Sequence, residues 1–211
     1  MNIDFSDCSA SQRYHLMTQT IIPRPIAWAL TSSSNANADP NSLNLAPFSY
    51  FTAVSSDPAL LMLSLGKKPN GESKDTLTNV LKNKKMVIHI AGENLADIVT
   101  QTAASLAHDE SELATIPEGV LNTVPFEGFA LPRIAQCDIA YGCELYEIKE
   151  IGEVAQTLIF VEIKQLYVSA KVTTVNDGRI KIAADSVNPL ARLGASEYSG
   201  ITAPFKKTRP A

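Results

Sequence analysis

The sequence predicts a mainly β protein, an antiparallel barrel carrying helical covers. Three observations lead there. Apolar residues alternate with polar ones through much of the second half, strand-like runs follow one another at short intervals, and few stretches carry a helical apolar period. Of the 211 residues, 45% are hydrophobic and 19% charged, an ordinary globular balance that excludes a disordered chain. At ~150 residues per domain, the length suits one domain with decorations.

Ser9 and Gln12 have capping-box spacing, which starts a helix over 9–18. Residues 45–54, 59–65 and 86–90 read as strands; 59–63 is apolar on both faces and so central. A helix begins at 75–81 with Leu77, Val80 and Leu81 inward. Asn94 can cap another, in which Leu95, Ile98, Val99, Ala103 and Leu106 form one stripe. Over 135–145, Ala135, Cys137, Ile139, Tyr141, Cys143 and Leu145 alternate with Gln136, Asp138, Gly142 and Glu144, giving a strand with one buried and one wet face. Residues 154–168 are rich in β-branched side chains and form a second long strand. Residues 172–175 and 179–184 flank Asn176-Asp177-Gly178 as a hairpin. Loop signals at 32–42 and, more weakly, 107–131 separate no blocks of different composition. One domain is therefore expected over 20–198, with an N-terminal arm and helix at 1–19 and a tail at 199–211.

Lys+Arg is 18 against Asp+Glu 22, for a net charge of −4. Such a chain is a poor general binder of nucleic acid. No apolar run approaches the ~18 residues of a membrane span, and no signal-peptide pattern opens the chain. Of three cysteines, Cys137 and Cys143 fall on one expected strand ~20 Å apart, too far for a disulfide. No Asn-x-Ser/Thr acceptor occurs, so a reducing, cytoplasmic setting without membrane or nucleic acid is expected.

The common chemical signatures are missing. There is no Gly-x-Gly-x-x-Gly, no phosphate-loop Gly-Lys-Ser/Thr, no His-Glu-x-x-His, no Cys-x-x-Cys and no Gly-x-Ser-x-Gly. His15, His89 and His108 lack metal-ligand spacing, and His89 reads as a structural histidine. With no evident nucleophile, a cofactor is expected to carry the reaction and no side chain is assigned as catalytic.

Three segments look unlike plain core. In Pro23-Arg24-Pro25-Ile26-Ala27-Trp28, two prolines hold Arg24 on a rigid extended piece that suits an anion, although a solvated Arg24 fits as well; Trp28 can stack on a flat ring or fill the core. In Asn44-Leu45-Ala46-Pro47-Phe48-Ser49-Tyr50-Phe51, Pro47 interrupts pairing, and the small Ala46 and Ser49 let a heterocycle approach the main chain; an edge strand with Phe48 and Phe51 in the core is the plainer reading. Ser73-Lys74-Asp75-Thr76 opens a helix whose N–H groups, with Lys74 and the hydroxyls, make a phosphate seat, with Asp75 capping or orienting; an ordinary capped surface helix is the alternative.

These segments, with Ser55-Ser56-Asp57-Pro58 and Asn188-Pro189-Leu190-Ala191-Arg192-Leu193-Gly194 in the same order, resemble the flavin reductase-like, FMN-binding split-barrel family over about residues 20–198. The resemblance implies a homodimeric antiparallel split β-barrel holding FMN, or alternatively FAD, near the dimer interface. It implies that Ala46, Pro47, Phe48 and Ser49 line the isoalloxazine, that Lys74 and Thr76, helped by Arg24, hold the phosphate, and that Trp28, Ser64 and Gly66 lie beside the cofactor. Arg192 would reach the site or the partner subunit. The implied activity is that of a flavin oxidoreductase taking hydride from NADH or NADPH at flavin N5. Some members use a histidine in the second half of the barrel, and this sequence has none after His108. A flavoredoxin-like carrier reduced by a redox protein partner, and a non-catalytic FMN-binding module, remain as alternatives.

Overall fold

The computed structural model describes residues 1–34, 42–107, 110–154, 156–176, 178–208 and 210. The chain begins with α1 (Ala10–Thr20), then β1 (Arg24–Pro25), β2 (Ala27–Ser32), β3 (Leu43–Phe48), β4 (Phe51–Ser56) and β5 (Ala59–Leu65). It continues through α2 (Asp75–Asn83), β6 (Lys85–Ile90), α3 (Ala96–Gln101), β7 (Thr123–Val124), β8 (Arg133–Ile134), β9 (Ile139–Ile151) and β10 (Gln156–Val168). It closes with β11 (Thr173–Asn176), β12 (Arg179–Ile182), α4 (Ala184–Val187), β13 (Ala191–Arg192) and β14 (Tyr198–Ser199).

Seven strands pair antiparallel in the order β3-β2-β6-β9-β10-β5-β4. The two edge strands, β3 and β4, are consecutive in sequence and joined only by Ser49 and Tyr50. That link reaches at most roughly 11 Å, so the sheet must roll until its edges meet there. The result is a split barrel with its seam along β3 and β4. The expected strand over 45–54 is thus two strands on opposite edges.

Alternation along β2 fills two cores. Ala27 and Ala29 face the barrel interior with Leu61, Leu63, Met86 and Ile159, and α2 plugs it with Leu77 and Val80. Trp28 and Leu30 face outward into a second core with Leu43, Val99, Phe126 and Leu131, beneath α3 and the long connection to β9. Such double coverage explains why β2 is buried at every position.

It also corrects the expected pattern at 135–145. The strand starts only at Ile139, leaving Cys137 outside it, and Gly142, expected wet, is buried beneath the Phe129 ring. The capping box of α1 forms, with Ser9 N–H donating to Gln12 Oε1 at 2.8 Å. Helix α2 runs two residues beyond its expected end, and Leu81, expected inward, is 44% exposed. The helix expected after Asn94 is shorter. A 3-10 turn, Glu93–Leu95, leads into α3, which stops at Gln101, because Thr102 turns inward to accept from Trp28 Nε1 at 2.9 Å. Ala103 and Leu106 therefore lie past the helix. The hairpin forms as β11 and β12, in register Val175↔Ile180; Asp177 of its turn and residues 35–41 of the first loop lie outside the described residues. All three cysteines are free.

A Cβ on Gly142 would meet the Phe129 ring at 2.8 Å. Gly142→Ala is expected to destabilise the fold by about 1–3 kcal/mol in urea unfolding, through displacement of that ring.

Candidate functional site

A cleft of about 170 Å³ lies where edge strand β3, the start of α2 and the segment after α3 meet. Ala46, Pro47 and Phe48 line it from β3, and Lys74, Asp75 and Thr76 line it from α2. Two segments that the family resemblance assigns to one ligand thus share one cavity. The edge position explains Pro47. Leu45 N–H points away from β2 to Glu112 Oε2 at 3.0 Å, and two residues on Pro47 takes the same outward slot, where no ladder donor is needed.

A buried polar network joins these walls. Glu112 is 4% exposed and accepts Asn44 Nδ2 on both oxygens at 2.7 Å. Asn44 Oδ1 in turn accepts from the hydroxyls of Thr76 at 3.0 Å and Thr31 at 3.4 Å, and Thr31 Oγ1 accepts from Asn79 Nδ2 at 3.1 Å. Burial pushes the Glu112 carboxyl above its ordinary range, with the Asp75 charge adding to the rise; the bonds from Leu45 N–H and Asn44 oppose it.

Charge in the cleft is unevenly paired. Lys68 Nζ binds Asp75 at 2.7 Å and donates to Leu106 O at 3.4 Å. Lys74 is the N-cap of α2 and its side chain has no hydrogen-bond or ionic partner among the described residues. The Lys74 side chain makes no cap bond to the first turn of α2, and the positive dipole end of the helix stands beside that ammonium.

The other expected site residues sit elsewhere. Arg24, 5% exposed, is neither solvated nor open to an anion. Its guanidinium donates to the carbonyls of Thr18, Ile21 (3.0 Å) and Leu193 (2.8 Å), and to Ser49 Oγ at 3.4 Å. It fastens α1, the β3–β4 seam and the C-terminal signature together, with β1 paired to β13 through Arg24↔Arg192. Trp28 is fully buried core, and its Nε1 donates to Thr102, which lines the cleft. The Thr76 hydroxyl is turned inward to Asn44, leaving its backbone N–H for the cleft. Ser64 N–H donates to Tyr50 O at 2.9 Å, and Gly66 lies against the Gln156 side chain; neither lines the cleft. Arg192 donates to Ala195 O at 2.6 Å and stands over the Tyr198 ring.

His89 is structural. It is fully buried, with Nδ1 3.0 Å from Trp28 O and Nε2 accepting from Ile134 N–H at 2.9 Å, an arrangement for the neutral ring with its proton on Nδ1. Burial pushes its pKa down from 6.5 to about 4. His108 lies outside the described residues.

Comparison with known proteins identifies the family and the fold. The flavin reductase like domain matches residues 18–183. The chain belongs to that family. It is 32% identical to the uncharacterized protein YwrF of Bacillus subtilis over 96% of this chain and 95% of that one. Nitrilotriacetate monooxygenase component B from Bacillus cereus superposes with a TM-score of 0.84 at 28% identity, covering 98% of both chains. The 2-nitrobenzoate 2-nitroreductase NbaA of Pseudomonas fluorescens also gives 0.84, at 25% identity over 100% of this chain and 96% of that one. Membership of that family makes this protein a flavin-related oxidoreductase.

Sequence reasoning missed Glu112 and Lys68. Glu112 follows Ser111 in a weakly patterned stretch where nothing local marks it for burial; its partners are 67 and 68 residues away. Asn44→Ala, which leaves the Glu112 carboxylate short of two bonds, is expected to cost about 1–3 kcal/mol in urea unfolding. The depressed His89 pKa makes the unfolded chain the better proton binder between pH 6.5 and about 4. Stability from His89 is therefore complete above pH 6.5 and falls by up to about 3 kcal/mol towards pH 4. Glu112, with its raised pKa, slopes the opposite way, so the effect is read as the difference between the native chain and His89→Gln across that window.

Proposed function

We propose that this protein is an FMN-binding, flavin reductase-like oxidoreductase whose cofactor lies in the cleft between β3 and α2. The observation that carries the reading is the Lys74 ammonium, without a partner among the described residues, at the start of α2 and on the same cavity as Ala46–Phe48. The donor set fits the cofactor. A phosphate needs a cation and backbone N–H groups, which Lys74 and the first turn of α2 supply. A planar heterocycle needs main chain free of ladder bonds, which the outer edge of β3 supplies. Lys68 neutralises Asp75, so that carboxylate does not repel the phosphate.

When bound, the flavin supplies hydride acceptance at N5 from NADH or NADPH and onward electron transfer. The chain's own part is holding and shaping. Glu112, through Asn44, fixes the distance between the β3 wall and Thr76, and Trp28 backs the cleft through Thr102. No acid–base pair is required of the protein.

A cavity of about 170 Å³ is smaller than the ~300–1,000 Å³ that buries a ligand of this size. The uncovered remainder of the flavin supports a homodimer in which a second copy completes the site. Three free cysteines are in keeping with a reducing, cytoplasmic setting, and none of the helices described is long and apolar enough to cross a membrane.

Lys74→Ala is expected to weaken FMN more than tenfold in a fluorescence titration, since a charge-assisted phosphate contact contributes ~1.5–3 kcal/mol. Unchanged affinity removes Lys74 from the site. Anaerobic bleaching of bound flavin by NADH or NADPH supports the reductase; bleaching only by a reduced protein partner assigns an electron carrier instead.

A further inference from the structure

A second cleft, of about 570 Å³, shares no lining residue with the first. It lies between the turn at Phe126 and Glu127, Arg133 of β8, and Gln165, Leu166 and Tyr167 of β10. A smaller apolar groove of about 280 Å³, lined by Val124, Phe129 and Leu131 among others, shares Pro125 and Phe126 with it. The two meet at Pro125 and Phe126: the smaller groove is mainly apolar, and the larger cleft is mixed, with Glu127, Arg133 and Gln165 beside Phe126 and Leu166.

Arg133 is the unusual feature. Its guanidinium carbon stands 3.5 Å from the Tyr167 ring centroid, Nη1 is buried with no hydrogen-bond partner, and no carboxylate pairs with it among the described residues. Glu127, on the same cleft, is exposed and makes no ion pair with it. Arg24, by contrast, directs its donors to three carbonyls and a hydroxyl of the chain. A permanent charge held half-buried without a counter-ion is unfavourable, and stacking on one tyrosine offsets only part of that cost. Nη1 is closed off from the cleft, so an incoming anion would meet the guanidinium through its accessible nitrogens and offset part of the remaining cost by its charge. Phe126, Leu166 and Pro125 beside it suit an apolar, flat body, and the volume is within the range that encloses a small organic ligand.

We propose that the cleft beside Arg133 binds a small organic carboxylate, its anionic group on the Arg133 guanidinium and its apolar body against Phe126 and Leu166. The site is separate from the flavin cleft and does not rest on the flavin reading.

The test is isothermal titration of the purified full chain, as isolated, with 2-naphthoate, its neutral analogue 2-naphthalenemethanol, and inorganic phosphate. Naphthoate is expected to bind saturably, with the alcohol and phosphate each at least about tenfold weaker. Arg133→Gln is expected to weaken naphthoate about tenfold or more, Arg133→Lys less, and Lys74→Ala not at all. The comparison of acid with alcohol needs no variant and decides the matter even if Arg133→Gln does not fold. No saturable naphthoate binding up to about 10 mM, or an alcohol that binds as tightly, overturns the proposal. So does loss of naphthoate in Lys74→Ala, which would place the anion in the flavin cleft. A dimer that Arg133→Gln dissociates, with no naphthoate bound by the native chain, also overturns it by giving the cleft to a second copy.

Discussion

The geometry of the cleft between β3 and α2 depends on one side-chain amide. Asn44 donates to both oxygens of Glu112 and accepts from Thr76 and Thr31, so it ties an edge strand, a helix start, a neighbouring strand and a distant 3-10 turn at one point. Edge strands are otherwise free to flex or to pair with another chain. Here the outward N–H of Leu45 is occupied by Glu112, and Pro47 has none to offer. The edge is blunted at its base and left open only along Ala46–Phe48. A buried carboxylate is unfavourable by itself, and it is tolerated because its oxygens are met by three short bonds.

The rolled sheet supplies the second constraint. A two-residue link between strands at opposite edges forces closure, and the seam it creates is where Arg24 reaches Ser49 Oγ. Arg24 also binds the last turn of α1 and the carbonyl of Leu193. Two motifs far apart in sequence, around residues 24 and 192, therefore belong to one structural joint behind the site. The family's motifs divide into those that line the cleft and those that hold the barrel shut around it.

Local pattern carried much of this in the sequence. Strand β5 occupies the expected 59–65, the capping box of α1 forms with the predicted pair, and the hairpin after Val172 pairs Val175 with Ile180. Each depends on spacing within a dozen residues, where propensity and periodicity act. What failed depends on contacts across the chain. The helix after Asn94 ends early because Thr102 meets Trp28, 74 residues away. The face of β9 expected to be wet is covered by Phe129 from a connection with little pattern of its own. In the site, the meeting of Ala46–Phe48 with Lys74–Thr76 was expected, whereas Arg24 gave no sign that three carbonyls would absorb its charge, and Glu112 had no local mark at all. Residue type shows what a group can bind; only the fold shows what has already bound it.

On the proposed reading, the edge of β3 and the start of α2 grip opposite ends of one FMN. A crystal structure of the protein with FMN tests it most directly. A phosphate oxygen is expected within about 3 Å of Lys74 Nζ, with the flavin ring along Ala46–Ser49. A flavin seated anywhere else, with the space between β3 and α2 left vacant, would contradict it.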